Sequence, residues 1–302
     1  MEAVKLSCLL LGEFKAFCVA NREKVDGSYL TDEDLSGFSV GEANPTCLLL
    51  RSDGSIAGAA SLMATEKAIA ASKVRFRILW QTDGGEHGYR LLLGALFRDI
   101  AGIDSAYLFA PLDDRLLKGV LDNLGFVVER KVFSLKRATA LPLGEDLLPE
   151  GFTIRPFVQG RDEAAWRRVR NAAFETVKGN DAPQSVGDVS RMASSPDSIE
   201  GAMLVLEECG RAVAVARGSL DELNGKPVMN IGPIAVLPER QGMGLGRALL
   251  RSLVKIASDK RFDVTTLSVN ADNENALKLY IGEGFTKLRS FACRSVKPSA
   301  LL

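Results

Sequence analysis

The sequence predicts an α/β protein, an α+β mixed sheet with helices on both faces, built twice in tandem. Three observations carry this. Apolar strand-like runs alternate with amphipathic helical stretches in the order strand, helices, three strands, helix, strand, helix, strands. The same order occurs in both halves, and matching Gly125-Phe126 to Gly284-Phe285 displaces them by 159 positions, far more than a solenoid repeat. A glycine turn, Gln241-Gly-Met-Gly-Leu-Gly246, joins a strand to a helix in the second half. At 302 residues the chain also exceeds one average domain.

The elements follow in order. Residues 46–50, a Ser52-Asp-Gly turn and residues 56–62 read as a hairpin, and residues 74–80 as a further strand. A glycine-bearing loop leads to a helix at 89–100, a strand at 106–110 and a helix at 114–124. Residues 141–151 carry turn formers and little periodicity, which marks the join. We therefore expect domains at 1–140 and 151–302. Residues 152–157 read as a strand and 161–175 as a helix with Trp166, Val169 and Ala173 on one face. The run 177–200 is polar and reads as loop-rich, a place for specificity. Cys209-Gly210 and Asn224-Gly225 each signal a hairpin. After the glycine turn, Leu245, Leu249, Leu253 and Ile256 share a helix face. A strand at 264–270, a short helix from Asn273 and two closing strands around 285–297 complete the second half.

Composition narrows the function. Charges balance at 38 against 38, giving no electrostatic reason for nucleic-acid or anionic-membrane binding. Five scattered cysteines without a C-x-x-C pair read as reduced thiols in a cytoplasmic protein. No apolar run approaches the roughly 18 residues of a membrane span. His87, the only histidine, excludes multi-histidine metal sites, and we place it in a solvated loop; no metal is expected. Composition leaves the oligomeric state open.

The glycine turn offers a chemistry. Glycines at 242, 244 and 246 remove β-carbons and permit positive φ, and the helix N-terminus adds unsatisfied donors, so the turn can cradle a phosphate. A plain tight connection is the other reading. A Walker loop is excluded because Arg247-Ala248 stand where Lys-Ser/Thr is needed. The G-x-G-x-G spacing, with Asp263 just ahead of the next strand, argues against a dinucleotide fingerprint.

Residues 228–285 resemble the GNAT superfamily of acyl-CoA-dependent N-acyltransferases. Gln241-Gly-Met-Gly-Leu-Gly246, approached through Pro238-Glu239-Arg240, matches that family's Q/R-x-x-G-x-G/A loop. Asn273-Glu-Asn-Ala276-Leu-Lys-Leu-Tyr280-Ile-Gly-Glu-Gly284-Phe285 matches its second motif, N-x-x-A-x-x-x-Y-x-x-x-G-F. The tandem layout, with Gly151-Phe-Thr-Ile-Arg-Pro-Phe and Gly160-Arg-Asp-Glu-Ala-Ala-Trp166, is similar to that of the mycothiol synthases, a tandem branch of the superfamily.

The resemblance implies an acetyl-CoA-dependent N-acetyltransferase acting on a primary amine of a small molecule or peptide. It implies cofactor contacts at Ile234, Ala235, Val236, Arg240, Gln241, Gly242, Met243, Gly244, Leu245, Gly246, Arg247, Asn273 and Ala276. Gly232-Pro233 fits a break in the strand, since Pro233 has no ladder donor. Tyr280 is the candidate general acid for the departing thiolate. The mycothiol synthases carry a glutamate eight positions before the loop proline; Asn230 stands there here, and an amide cannot deprotonate an amine, although it can hold a water. The base is thus open among an Asn230-bound water, Glu207, Glu208, Asp221 and Glu222. Asn273 reads equally as an N-cap; Arg240, Arg247 and Arg251 are candidates for the CoA phosphates, with a solvated stripe the simpler account of Arg251 and Lys255. The resemblance also places the acceptor pocket after Phe174 and near Phe291.

The first half reads as degenerate. Gly84 and Gly88 match Gly242 and Gly246, but Glu86 replaces Gly244, while Asp114 and Leu121 replace Asn273 and Tyr280. We expect no catalysis from it. The alternatives to an N-acetyltransferase of general amines are a thiol-precursor acetyltransferase like the mycothiol synthases, a non-catalytic acyl-CoA sensor, and a ligand-free scaffold.

Overall fold

The computed structural model describes residues 1–98, 100, 102–145, 148–177, 179 and 183–301. The first part of the chain forms β1 (Glu2–Lys5), α1 (Leu11–Asn21), α2 (Asp32–Ser36), β2 (Thr46–Leu50), β3 (Ile56–Met63), α3 (Glu66–Ala70), β4 (Lys73–Gln81), α4 (Glu86–Phe97), β5 (Ser105–Pro111), α5 (Arg115–Asn123) and β6 (Val127–Ala138). The rest forms β7 (Phe152–Pro156), α6 (Glu163–Phe174), α7 (Val186–Ala193), β8 (Ser198–Glu208), β9 (Arg211–Leu223), β10 (Lys226–Val236), α8 (Leu245–Asp259), β11 (Val264–Asn270), α9 (Glu274–Gly282) and β12 (Thr286–Val296). The fold is α/β. Contacts divide it into unit 1, Met1–Val132 with Ser290–Leu302, and unit 2, Phe133–Arg289. The sequence reading set the join at 141–151 and kept 151–302 together; the contacts allot 133–140 to unit 2 and 290–302 to unit 1.

Unit 1 orders its strands β1-β2-β3-β4-β5-β12. β4 and β5 run parallel only from Lys73↔Ser105 to Arg75↔Tyr107, and β12 pairs antiparallel with β5 from Phe291↔Pro111 to Val296↔Ala106. Leu92, Phe97, Leu62 and Leu121 lie at its centre, all within 1% exposure. Phe14, Leu30, Leu48 and Ile78 form a second cluster under α1. β1 and α1 were not anticipated, because four residues are too few to show a period and the helix is apolar on no single side.

Unit 2 orders its strands β6-β11-β10-β9-β8-β7. Both expected hairpins are present. Cys209 (φ 47°) and Gly210 (φ 79°), then Asn224 (φ 54°) and Gly225 (φ 74°), give two left-handed residues at each tip, as a type I′ turn requires. β9 is buried without a break from Ala212 to Ser219, which requires cover on both faces; α6 and α8 both pack on it. Trp166 and Val169 of α6 and Leu249 and Leu253 of α8 are fully buried in that core.

Two expectations are corrected here. The end of the chain forms one strand, β12, instead of two, because no turn former interrupts residues 286–296. The polar run 177–200 contains α7 and the start of β8; Ser185 caps α7 in a reciprocal box with Asp188, a polar signal for a helix and not for a loop. Residues 178 and 180–182 of that run lie outside the described residues.

Residues 133–142 are integral to unit 2. The Arg137 side chain, 2% exposed, donates to the carbonyls of Glu283, Ala138, Thr139, Leu141 and Pro142. A guanidinium spread over five carbonyls satisfies its charge without a carboxylate.

Candidate functional site

The glycine turn has the backbone its sequence implies. Gly242 (φ 80°) and Gly244 (φ 82°) are both left-handed, and a Cβ at either would meet nothing within 4 Å. The space over these two residues is open, so the glycines serve backbone conformation and approach, not tight packing. Gly244 is the N-cap of α8 and supplies no side-chain acceptor to the first turn. A helix start without a capping side chain, facing open space, leaves its amides to a ligand. Leu245 is 1% exposed and anchors the turn, while Met243 is 43% exposed.

β10 leads into this turn and breaks its ladders at the expected place. Its pairing to β9 jumps from Ile231↔Gly218 to Ile234↔Ala216, and its pairing to β11 ends at Ile231↔Leu267. Gly232-Pro233, a cis peptide, occupies the jump. Beyond it β10 stays paired with β9 through Ala235↔Val215 and Val236↔Ala214. The strands β10 and β11 therefore part, leaving one edge of Ile234–Val236 outside the ladder. Gln241 folds back, its amide donating to the Val236 carbonyl (3.2 Å).

α9 closes the site. Asn273 caps it, Oδ1 accepting from the Ala276 amide (3.1 Å). Tyr280 is half-buried, packs on the unit 2 core and lies 6.1 Å from the Phe285 ring. Burial pushes its phenol up to about 12. Leu279 Cδ2 and the Cγ2 atoms of Ile234 and Val236 stand at 3.8–3.9 Å from where a Gly246 Cβ would lie, so α8, α9 and the free end of β10 converge on one point.

The arginines separate. Arg251 is not part of a solvated stripe: it grips the buried Glu283 with Nε and Nη2 (2.8 and 2.7 Å). Arg247 shares that carboxylate through Nε (3.0 Å) but keeps half its side chain exposed. Glu283 was not legible as a site residue, since nothing in Gly282-Glu-Gly284 signals burial. Arg240 is bound by Glu208 (2.8 Å), whose hydrogen bond first and charge second raise the guanidinium further.

Asn230 lies opposite Ser219 on β9 and Thr266 on β11. The Thr266 hydroxyl is buried without a partner. Of the other candidate bases, Glu207 is held by Arg155 and Glu208 by Arg240. His87 is exposed, as expected, but belongs to the first turn of α4 and not to a loop. Phe291 falls in unit 1. No cluster of three metal-ligating side chains occurs among the described residues.

In unit 1 the equivalent turn is open over Gly84 and Gly85, where a Cβ would meet nothing within 4 Å, but it carries a carboxylate and is closed at Gly88. The Glu86 carboxylate stands in the first turn of α4 and is held by Arg90 (2.7 Å) and Asn123 (2.9 Å), which keep it below the usual carboxylate range. Gln81, 1% exposed, donates to the Gly85 carbonyl, and a Cβ on Gly88 would lie 2.7 Å from its Oε1. Asp114 caps α5 as Asn273 caps α9, while Leu121 is fully buried.

Comparison with known proteins agrees with this geometry. Residues 166–285 match the model of the acetyltransferase (GNAT) family. A mycothiol acetyltransferase of Streptomyces griseus is 31% identical over 243 residues, covering 79% of this chain and 76% of the relative. The chain belongs to the GNAT acetyltransferase family. A mycothiol acetyltransferase of Pseudarthrobacter chlorophenolicus is 31% identical over 193 residues, 63% of this chain and 60% of the relative. A tandem GNAT protein from the clavulanic acid biosynthesis pathway superposes with TM-score 0.67 at 13% identity, covering 98% of each chain, a likeness of fold. The GNAT match spans the glycine turn, the parted strands and α9, all in unit 2. No helix among the described residues is long and apolar enough to cross a membrane.

Proposed function

We propose that unit 2 transfers an acetyl group from acetyl-CoA to a primary amine of a small molecule or peptide. The observation that carries this is the meeting of an uncapped, open glycine turn with the parted edge of β10. The amides of Gly242 to Gly246 would hold the diphosphate, with Gln241, Met243, Leu245 and Arg247 around it and Arg240 beside them. Ile234, Ala235 and Val236 offer backbone groups along the opening, and Asn273 and Ala276 border it. Acetyl-CoA, when bound, supplies the activated acyl group.

The chain's own residues then have defined tasks. Ile234–Val236 orient the thioester, which removes much of the entropic cost of bringing two reactants together. The Tyr280 phenol, lifted to about 12, stays protonated across the working range and would give the sulfur a hydrogen bond throughout it. Its high value makes full proton donation to a free thiolate near 8.5 uphill, so its help lies in the transition state, while the carbon–sulfur bond still holds. Asn230 holds a water and takes no proton.

Incubation of the full chain with acetyl-CoA, a panel of primary amines and a free-thiol reagent tests the reading. Amine-dependent thiol release is expected. Binding without release points to a sensor, and neither points to a scaffold. A narrower reading, that the acceptor is a mycothiol precursor, is favoured by the two relatives quoted above and is tested by including that amine in the panel.

A further inference from the structure

An amine at neutral pH must lose a proton before it attacks, and Asn230 cannot accept it. β10 is flanked by β9 on one edge and, up to Ile231, by β11 on the other, and the only carboxylates of these three strands are Asp221 and Glu222, both on β9. The register decides between them. Asn230 faces Ser219, and Val228 faces Asp221, so Ser219, Asp221 and Asn230 share one face of the sheet. Glu222, opposite Pro227, points to the other face. Asp221 is thus a diagonal neighbour of Asn230, at about 7–8 Å, the span of one bridging water.

The surroundings keep Asp221 free for this work. It accepts only the neighbouring Glu222 amide (2.8 Å) and has no ion-pair partner among the described residues. Lys226 on β10, opposite Leu223, is the cation diagonal to Asp221 on that face and forms no ion pair with it, while Arg217, further along β9, is committed to Asp197 (2.9 Å) and Ser195 (3.0 Å). Asp197 and Glu222 are the charged groups that act on Asp221, and both are negative. Partial burial of the carboxyl first, and then these two carboxylates, raise it above the ordinary aspartate value, against the Glu222 amide hydrogen bond that lowers it.

We propose that Asp221 is the terminal proton acceptor of the acyl transfer, reached through water held by Asn230 and Ser219. The amine N–H bond breaks as the nitrogen–carbonyl bond forms. The proton passes through the water to the Asp221 carboxylate and leaves to solvent, to which Asp221 is exposed. The departing sulfur keeps the electron pair of the broken carbon–sulfur bond. Asp221 acts through the water and is a positioning and relay residue; the inference rests on the acetyltransferase reading of unit 2.

The test measures thiol release by full-length wild type, Asp221→Asn and Asp221→Glu between pH 5 and 9, with glucosamine and putrescine as acceptors. Wild type is expected to gain rate as pH rises through the Asp221 value. Asp221→Asn should lose about 10- to 100-fold in kcat and lose that limb, with KM for acetyl-CoA unchanged. Asp221→Glu should restore part of the rate. Wild-type rate and an unaltered pH profile in Asp221→Asn would overturn the relay while leaving the acetyltransferase reading intact. A wild type that releases no thiol with either amine, nor with a wider amine panel, overturns that reading and the relay with it.

Discussion

At the scale of single residues, the account turns on groups whose chemistry is set by what lies beside them. Tyr280→Phe removes the hydroxyl proposed to donate to the sulfur and leaves the packing of the half-buried ring on Phe285. It should lower kcat by about 10²-fold while the Kd for acetyl-CoA holds, measured by steady-state kinetics and calorimetry. Gly244→Ala places a side chain at φ 82°, a strain of about 1–2 kcal/mol, and puts a methyl in the open cradle. Its Kd for CoA should rise about tenfold or more, with an unchanged far-UV spectrum. The backbone of the glycine turn was legible because glycines at alternate positions signal positive φ. Glu283 and Gln81 were not, since the burial of a polar side chain depends on partners distant in sequence: Arg247 and Arg251 for the first, the Gly85 carbonyl and Gly88 for the second.

At the scale of elements, hairpin tips and strands were read closely where the signal is local, whereas α4, expected at 89–100, runs Glu86–Phe97. The tips at Cys209-Gly210 and Asn224-Gly225 have the positive φ their sequence demands, and β11 spans the expected 264–270. α7 escaped notice because it presents a single buried residue, Val189, among polar ones. One element contact gives a pH prediction. At the start of α6, burial pushes Asp162 up, but hydrogen bonds from Arg155, Arg161 and the Val158 amide outweigh it and hold the carboxyl well below the usual range. A depressed folded value means stability is fully present above the unfolded value, near 3.8, and is lost as pH falls below it. Thermal melts from pH 7 to pH 2 should show Tm falling in that window. Asp162→Asn should have a lower Tm at pH 7 and a flatter acid dependence.

At the scale of the whole molecule, the repeat predicted the presence of two units but not their edges. No periodicity could reveal that 133–140 belong with the second unit, since strand assignment to a sheet is decided by pairing and not by sequence order. Arg137→Ala should strip five carbonyls of their donor and cost unit 2 about 3 kcal/mol, read as a lower urea midpoint. A fragment starting at Gly151 lacks those residues and should melt without cooperativity, so ligand binding belongs on the intact chain. There the two glycine turns differ in charge and packing: that of α8 is open and carries no carboxylate, while that of α4 has Glu86 in its first turn and Gln81 packed against Gly88. Calorimetric titration of the full-length protein with CoA is the most direct measurement. One site per chain, weakened by Gly244→Ala and unaffected by Glu86→Gln, is the predicted result. No heat of binding, or two equivalent sites, would contradict it.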